Sequence, residues 1–241
     1  MKLSVVAPCY NEEGNIRPLV DRTLAAFQQK GIDGEIILVN DASTDKTGEQ
    51  ADRAGSENDR VQVVHHEVNQ GIVGGWVSGV NAARGDLVVT IDADLQYRPE
   101  DVPVMLERYE QGGWDVVQGA RTQQPERSFL RKLLTAGLSF MLNIAFGTSM
   151  PDNKSGFVLA PVAIWKRILD TRHGFKHFQH FIGIAIVALQ LRITQVPIVF
   201  DPRNAGQSYI TSPIGFALKA LKDFPLAFWR FRVRRRSLRS S

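Results

Sequence analysis

The stretch TIDADLQYRPED, Thr90 to Asp101, carries two aspartates one residue apart, Asp92 and Asp94, and then Gln96. An apolar run, LVVTI, leads into them. Buried carboxylates are costly unless something positive meets them. In extended backbone, residues i and i+2 point to the same side, so both carboxylates can face one cavity with Gln96 following. Oxygen ligands in that number suit Mg2+ or Mn2+, hard cations that keep waters and bridge to substrate phosphates. The plainer reading is a turn whose acids cap a helix starting near Pro99. A D-x-D pair alone decides little. At the end of an apolar strand, in a chain with other polar strand ends, it points to a metal–phosphate site.

Those other ends come from the pattern of the first half. Strand-like runs cover 3–8, 35–40, 61–66, 86–92 and 115–119, with helix-like segments near 13–30, 45–54, 72–83 and 100–111. Continuous apolar strands separated by helices predict an α/β protein with a parallel sheet covered on both faces. Its βα loops place polar residues at the C-terminal strand edges, where such sheets bind ligands. PCYNEEGN, NDASTDKTG, DADLQ and GART fall at four of those edges.

The second half reads differently. Residues 129–147 look helical with apolar residues nearly all round, 155–161 and 193–200 look like strands, and 180–191 like a buried helix. No charge occurs from Leu133 to Pro151, which approaches the length of a membrane span. Thr135, Ser139, Asn143 and Thr148 interrupt it, so an amphipathic or core helix is expected instead.

With 241 residues, 44% apolar and 22% charged, the composition is globular and large enough for a substantial core. The lone Cys9 excludes an intrachain disulfide framework and fits a reducing compartment. The opening MKLSVVAPCYNEE is too short in its apolar run for an export signal and reads as a first strand. The net charge is +4, but Arg230, Arg232, Arg234, Arg235, Arg236 and Arg239 crowd the end. Phe224, Phe228, Trp229 and Phe231 lie among them, and Pro225 divides the segment. Aromatics beside arginines fit an interfacial segment on anionic headgroups. Nucleic acid is disfavoured as a partner, because the basic residues gather at one end and line no groove. The expected organisation is a catalytic domain over 1–211 and a basic-aromatic membrane-surface segment over 212–241.

APCYNEEGNI, VNDASTDKTG, GDLVVTIDADLQYRPEDV, VVQGAR, DNKSGF and RNAGQS, in this order, resemble the family 2 glycosyltransferases. They are most similar to the polyprenol-phosphate branch typified by dolichol-phosphate mannose synthase. The resemblance runs from about residue 3 to about residue 210. It implies a nucleotide-diphosphosugar transferase (GT-A) fold with a mostly parallel central sheet, a GDP- or UDP-hexose donor, Mg2+ or Mn2+, and inversion at the anomeric carbon. It further implies that Pro8, Tyr10 and Glu12 lie against the donor nucleotide. Val39 and Asp41 would meet base and ribose, Asp92 and Ala93 would continue that wall, and Asp94 and Gln96 would hold the metal.

Arg121, Arg131 and Arg203 match family arginines, with Asp94, Arg121 and Arg131 expected at the chemistry and Arg121 and Arg203 on the donor. Arginine suits phosphate because its planar fork donates two parallel bonds. The implied acceptor is a polyprenyl monophosphate, either dolichyl or undecaprenyl, already ionised at neutral pH. It needs positioning rather than a general base. The implied location is the cytoplasm, peripheral at the inner membrane face. The alternatives are transfer to a saccharide or protein hydroxyl, for which Asp152 is a candidate base, and a non-catalytic nucleotide-sugar binder.

Several positions depart from the family pattern. Asn40 replaces an acid, Ala42 a glycine, Arg98 a common proline and Tyr209 a common lysine, while His180 stands where an acid is frequent. Two other features attract attention and are set aside. Adjacent His65 and His66 face opposite ways in a strand and cannot readily chelate one ion. GIVGG, residues 71–75, lacks the lysine of a P-loop.

Overall fold

The structure, a computed structural model, describes residues 2–123, 129–203 and 221–234, apart from the side chains of 122–136. Seven strands form one sheet in the order β3-β2-β1-β4-β6-β5-β7. They are β1 (Leu3–Cys9), β2 (Gly34–Asn40), β3 (Val61–His65), β4 (Leu87–Thr90), β5 (Val116–Gln123), β6 (Val158–Pro161) and β7 (Ile193–Val199). All run parallel except β6, which is antiparallel to β4 and β5. The expected α/β fold with a mostly parallel sheet is therefore present. The reversed β6 has a consequence for the site. Its beginning, residues 152–157, lies at the same sheet edge where the parallel strands end.

Helices cover both faces. On one face α1 (Ile16–Lys30), α2 (Thr47–Glu57) and α4 (Val102–Glu110) bury Leu19, Phe27, Ala51 and Met105 against Val5, Ala7, Ile36 and Leu38. On the other, α3 (Gly71–Ala82), α5 (Phe129–Phe146), α6 (Val162–Asp170) and α7 (Ile182–Ala188) bury Trp76, Phe146, Trp165 and Ile184 against Val6, Ile37 and Val88. The central strands are apolar on both sides because both faces are covered. The glycines of GIVGG serve this packing. A Cβ on Gly79 would stand 2.1 Å from Val6 Cγ1, and one on Gly75 2.6 Å from Pro8 Cβ. Only glycine lets α3 lie this close to β1.

The strand expected over 86–92 ends earlier, at Thr90. Its pairing with both neighbours stops there, at Val6 of β1 and Val158 of β6. Beyond it the chain turns, with Leu95 in the left-handed region at φ 62°. Asp92 and Asp94 thus sit in a turn rather than on a pleated strand.

Residues 221–227 are helical and run into a π-helical turn, Phe228–Val233. They pack on the body. Ala227 and Phe231 are buried, Phe231 stacks on Phe175 with centroids 5.6 Å apart, and Phe224 meets Phe146 edge-on at 5.8 Å. Arg230 donates to the carbonyls of Thr171 and His173 at 2.7 and 2.5 Å, so its charge is spent inside the fold. The boundary expected at 211/212, together with Tyr209, Arg235, Arg236 and Arg239, lies outside the described residues.

Candidate active site

Three of the four polar segments follow strand ends, whereas GART lies within β5, which runs past the expected end at 119 to Gln123 because it stays paired with β7. The loop after β1 and the loop after β2 are laced together. Asn11 N–H donates to Ser43 Oγ at 3.1 Å, Thr44 N–H to Asn11 Oδ1 at 2.8 Å, and Glu12 N–H to Thr47 Oγ1 at 2.7 Å. Asn11 and Ala42 both take positive φ, 55° and 57°. That explains why glycine suits position 42, and alanine there carries a steric cost. Asn40 accepts from Ser43 N–H through Oδ1 and contacts His65 Nδ1 through Nδ2 at 3.0 Å.

Beside these loops stands a cluster of Glu12, Asp92, Asp94 and Arg203. Arg203 donates from Nη1 to Glu12 Oε1 at 2.6 Å and from Nη2 to Asp94 Oδ2 at 2.8 Å. Its Nε is buried, with no hydrogen-bond partner among the described residues. Asp94 Oδ1 accepts the N–H of Gln96 at 3.1 Å. Burial pushes the pKa values of Glu12 and Asp94 up, with Arg203 acting in the opposite sense. Asp92 is pushed up to about 7, first by burial and next by the Asp94 charge. Three carboxylates therefore share a corner short of positive charge.

These residues fit a hard divalent ion. The donors are carboxylate oxygens, and a cation would relieve the repulsion that holds Asp92 toward its neutral form. No cluster of three His, Cys, Asp or Glu side chains able to cage an ion by itself occurs among the described residues. That suits Mg2+ or Mn2+, which complete their shells with phosphate oxygens and water. The expected second ligand, Gln96, donates from Nε2 to the carbonyl of Asp201 at 3.0 Å, a bond that does not use Oε1, the atom a metal would take.

The remaining expected residues divide. Tyr10 is 44% exposed at the crevice, and Pro8 pairs with Val39 across β1 and β2. The side chains of Val39 and Ala93 are buried in the core. Asp41 is fully engaged inside the fold. Its Oδ1 meets His66 Nδ1 at 2.7 Å and accepts Gln70 N–H at 2.8 Å, and its Oδ2 accepts Gly71 N–H at 2.8 Å. It holds the start of α3. His66 continues to Ser78 Oγ at 2.8 Å, while His65 turns away to Asp52 at 2.8 Å, so the two histidines do diverge.

A second group forms where β6 begins. Arg121 donates to Asp152 from Nε at 2.6 Å and from Nη2 at 2.9 Å. Asp152 also accepts backbone N–H groups of Arg121 and Lys154. Burial opposes its charge, but Arg121 outweighs that and brings the carboxyl down to about 2. A carboxylate so acidic and so occupied is a poor base. Beneath it, Gln195 Nε2 donates to Gln118 Oε1 and to the carbonyl of Asp152, both at 2.6 Å, and Gln118 Nε2 donates to the carbonyl of Ser155 at 2.7 Å. Tyr97 Oη lies 3.1 Å from Ser155 Oγ. Sequence reasoning passed over this network. Its signal was a glutamine interrupting each of two apolar strands, VVQGA and ITQVPIV. Arg131 lies in α5, and its side chain falls outside the described ones.

Residues 4–169 match the model of glycosyl transferase family 2. This chain belongs to that family. It is 40% identical over 151 residues to an undecaprenyl-phosphate 4-deoxy-4-formamido-L-arabinose transferase of Pectobacterium carotovorum, covering 62% of this chain and 46% of the relative. It is 32% identical over 169 residues to a dodecaprenyl-phosphate galacturonate synthase of Rhizobium johnstonii, covering 70% and 50%. The chain thus spans about half the length of these relatives. Among solved structures it resembles the glucosyl-3-phosphoglycerate synthase of Mycobacterium tuberculosis in complex with Mn2+ and UDP-glucose. The TM-score is 0.64 at 20% identity, over 94% of this chain and 78% of that one. This last likeness establishes the fold, as the GT-A resemblance anticipated.

Proposed function

We propose that this family 2 glycosyltransferase moves a hexose from a nucleotide-diphosphate sugar to a polyprenyl monophosphate with inversion. An oxygen of the acceptor phosphate forms the new bond to the anomeric carbon, and the bond to the donor diphosphate breaks, releasing the nucleoside diphosphate. Asp94 and Gln96 would hold Mg2+ or Mn2+ against the donor phosphates, with Asp92 beside them. The metal, when bound, supplies Lewis-acid stabilisation of the leaving diphosphate. Tyr10, Pro8 and Glu12, with the main chain near Val39 and Ala93, would line the nucleoside. Asp41 acts there by fixing the loop. Arg203 would meet the diphosphate. GDP and UDP remain equal candidates on the residues alone.

One observation carries the choice of acceptor. Asp152, the candidate base for a hydroxyl acceptor, is locked to Arg121 and strongly acidic. A phosphate acceptor arrives ionised and needs no such base. The named relatives act on undecaprenyl and dodecaprenyl phosphate, which supports the same choice.

The acceptor implies a membrane surface, and the exposed apolar residues support one. Phe140 and Ile144 on α5 and Phe228, Trp229 and Val233 on the C-terminal segment are all exposed, on two elements that meet through Phe146 and Phe228, 6.2 Å apart, and Arg232 and Arg234 are exposed on the same segment. The neighbouring face of α5, turned about 100° from Phe140 and Ile144, holds the loop leading to β6. Asn143 Nδ2 donates to the carbonyl of Met150 at 2.9 Å, and Lys154 Nζ donates to Ser139 Oγ. An anionic lipid surface against this face would lie one helix away from Asp152. Among the described residues, no helix is long and apolar enough to cross a membrane.

The test is a screen of UDP- and GDP-hexoses against undecaprenyl phosphate in anionic liposomes, following a lipid product labile to mild acid. Activity abolished by chelator and weakened by salt is expected. Transfer to a saccharide hydroxyl with none to the lipid overturns the reading.

A further inference from the structure

Arg98 departs from the proline common at its position, and the structure gives it a partner. It donates from Nε to Asp201 Oδ2 at 2.6 Å and from Nη2 to Asp201 Oδ1 at 2.7 Å. Asp201 N–H donates to the carbonyl of Gln96 at 3.0 Å, and the Asp201 carbonyl accepts Gln96 Nε2 at 3.0 Å. Every polar group of Asp201 is therefore engaged by the loop that follows Asp94. Two residues later the same segment delivers Arg203 onto Asp94 and Glu12.

β7 ends at Val199, so no sheet pairing holds residues 200–203. Phe200 anchors them on one side, edge-on to Tyr97 at 5.0 Å. Asp201 holds the turn itself. A planar fork on a carboxylate fixes orientation as well as distance, which a proline at 98 cannot do.

We propose that Arg98 and Asp201 are positioning residues that aim Arg203 at the donor diphosphate. This rests on the donor reading above. The pair is partly exposed, with 41% and 27% of the two side chains accessible, so it contributes little to stability. Its worth is geometric, because a charged group misplaced by an ångström loses much of its effect on a bound phosphate.

The test is a cycle of Arg98→Ala, Arg203→Ala and the double variant, reading the affinity for UDP and for GDP, each with Mn2+, by calorimetry. Arg98→Ala is expected to weaken binding about tenfold with an unchanged melting temperature, since misplacement and not unfolding is the cause. It should add nothing in the Arg203→Ala background, and Arg98→Lys should restore part of the loss. Wild-type affinity in Arg98→Ala, or an equal loss in both backgrounds, overturns the proposal.

Modification of Arg203 by phenylglyoxal, mapped by peptide mass, separates the two readings. If the wild type binds neither nucleotide, the donor reading fails. The clamp is then judged by whether Arg98→Ala speeds modification of Arg203, as it predicts. An unchanged rate refutes it.

Discussion

Two arginine–carboxylate clusters lie along one sheet edge and are built in opposite ways. Arg121 meets a single carboxylate through two parallel bonds, and both oxygens of Asp152 take further N–H groups. Arg203 divides itself between Glu12 and Asp94, and its buried Nε has no partner among the described residues. The first cluster is saturated, and its acid is driven down to about 2. The second leaves its acids raised by burial despite the arginine. A saturated pair keeps a loop in place. An unsaturated cluster retains the capacity to bind a metal and a diphosphate. Both arginines already face carboxylates.

The largest effect should come from opening the saturated pair. Arg121→Ala leaves Asp152 buried and uncompensated, which costs about 3–5 kcal/mol of stability. Denaturant unfolding checks this. A loss below about 1 kcal/mol would mean that the pair is not buried as a unit and would erase the contrast.

Next comes Asp94→Asn in the unsaturated cluster. Arg203 keeps Glu12, so the melting temperature should hardly move. Transfer should fall on the order of 10^2-fold or more, the scale of losing one preorganised electrostatic contact to a developing charge. A variant that melts much lower but retains its transfer rate would exchange the roles of the two clusters.

The two clusters also differed in how far the sequence disclosed them. DADLQ follows an apolar strand, and alternating strands and helices locate the sheet edge, so Asp92 and Asp94 were legible together with the fold. The Arg121–Asp152 pair was not, because 31 residues separate its members and β6 had first to run antiparallel. Periodicity detects a strand without its direction. Asp201 was invisible for a similar reason. Its partners lie more than 100 residues away, and an aspartate before a proline reads as a loop. The C-terminal aromatics were legible as apolar beside basic residues. Which of them pack inward, such as Phe231, and which face out, such as Trp229, depends on the docking of the segment against Phe175 and Phe146.

A smaller effect sharpens the contrast through pH. Asp152 is lowered from the ordinary aspartate value of 3.8 to about 2. A lowered carboxylate binds fewer protons folded than unfolded, so its stabilisation is present above about pH 4 and lost as pH falls toward 2. The difference is about 2 kcal/mol at 1.36 kcal/mol per unit. Asp152→Asn should show a stability deficit that narrows by that amount between pH 5 and 2. A deficit constant across this range would mean that Asp152 carries no special charge state.

The smallest effect concerns Asp41, which the family resemblance assigns to the nucleoside and the structure assigns to the fold. Its oxygens accept Gln70 and Gly71 N–H at the start of α3 and meet His66. By the logic of the saturated cluster it should behave like a helix cap. Removing a cap costs about 0.5–2 kcal/mol, so Asp41→Ala should lower the melting temperature without nucleotide. Nucleotide affinity should weaken only as far as the loop after β2 loosens, and Asp41→Asn should recover part of the stability by keeping one acceptor oxygen. The decisive comparison sets the melting shift beside the change in UDP and GDP affinity. If Asp41→Ala leaves melting unchanged and abolishes nucleotide binding, its carboxylate touches the ligand. Saturation within the fold would then no longer separate structural carboxylates from binding ones in this crevice.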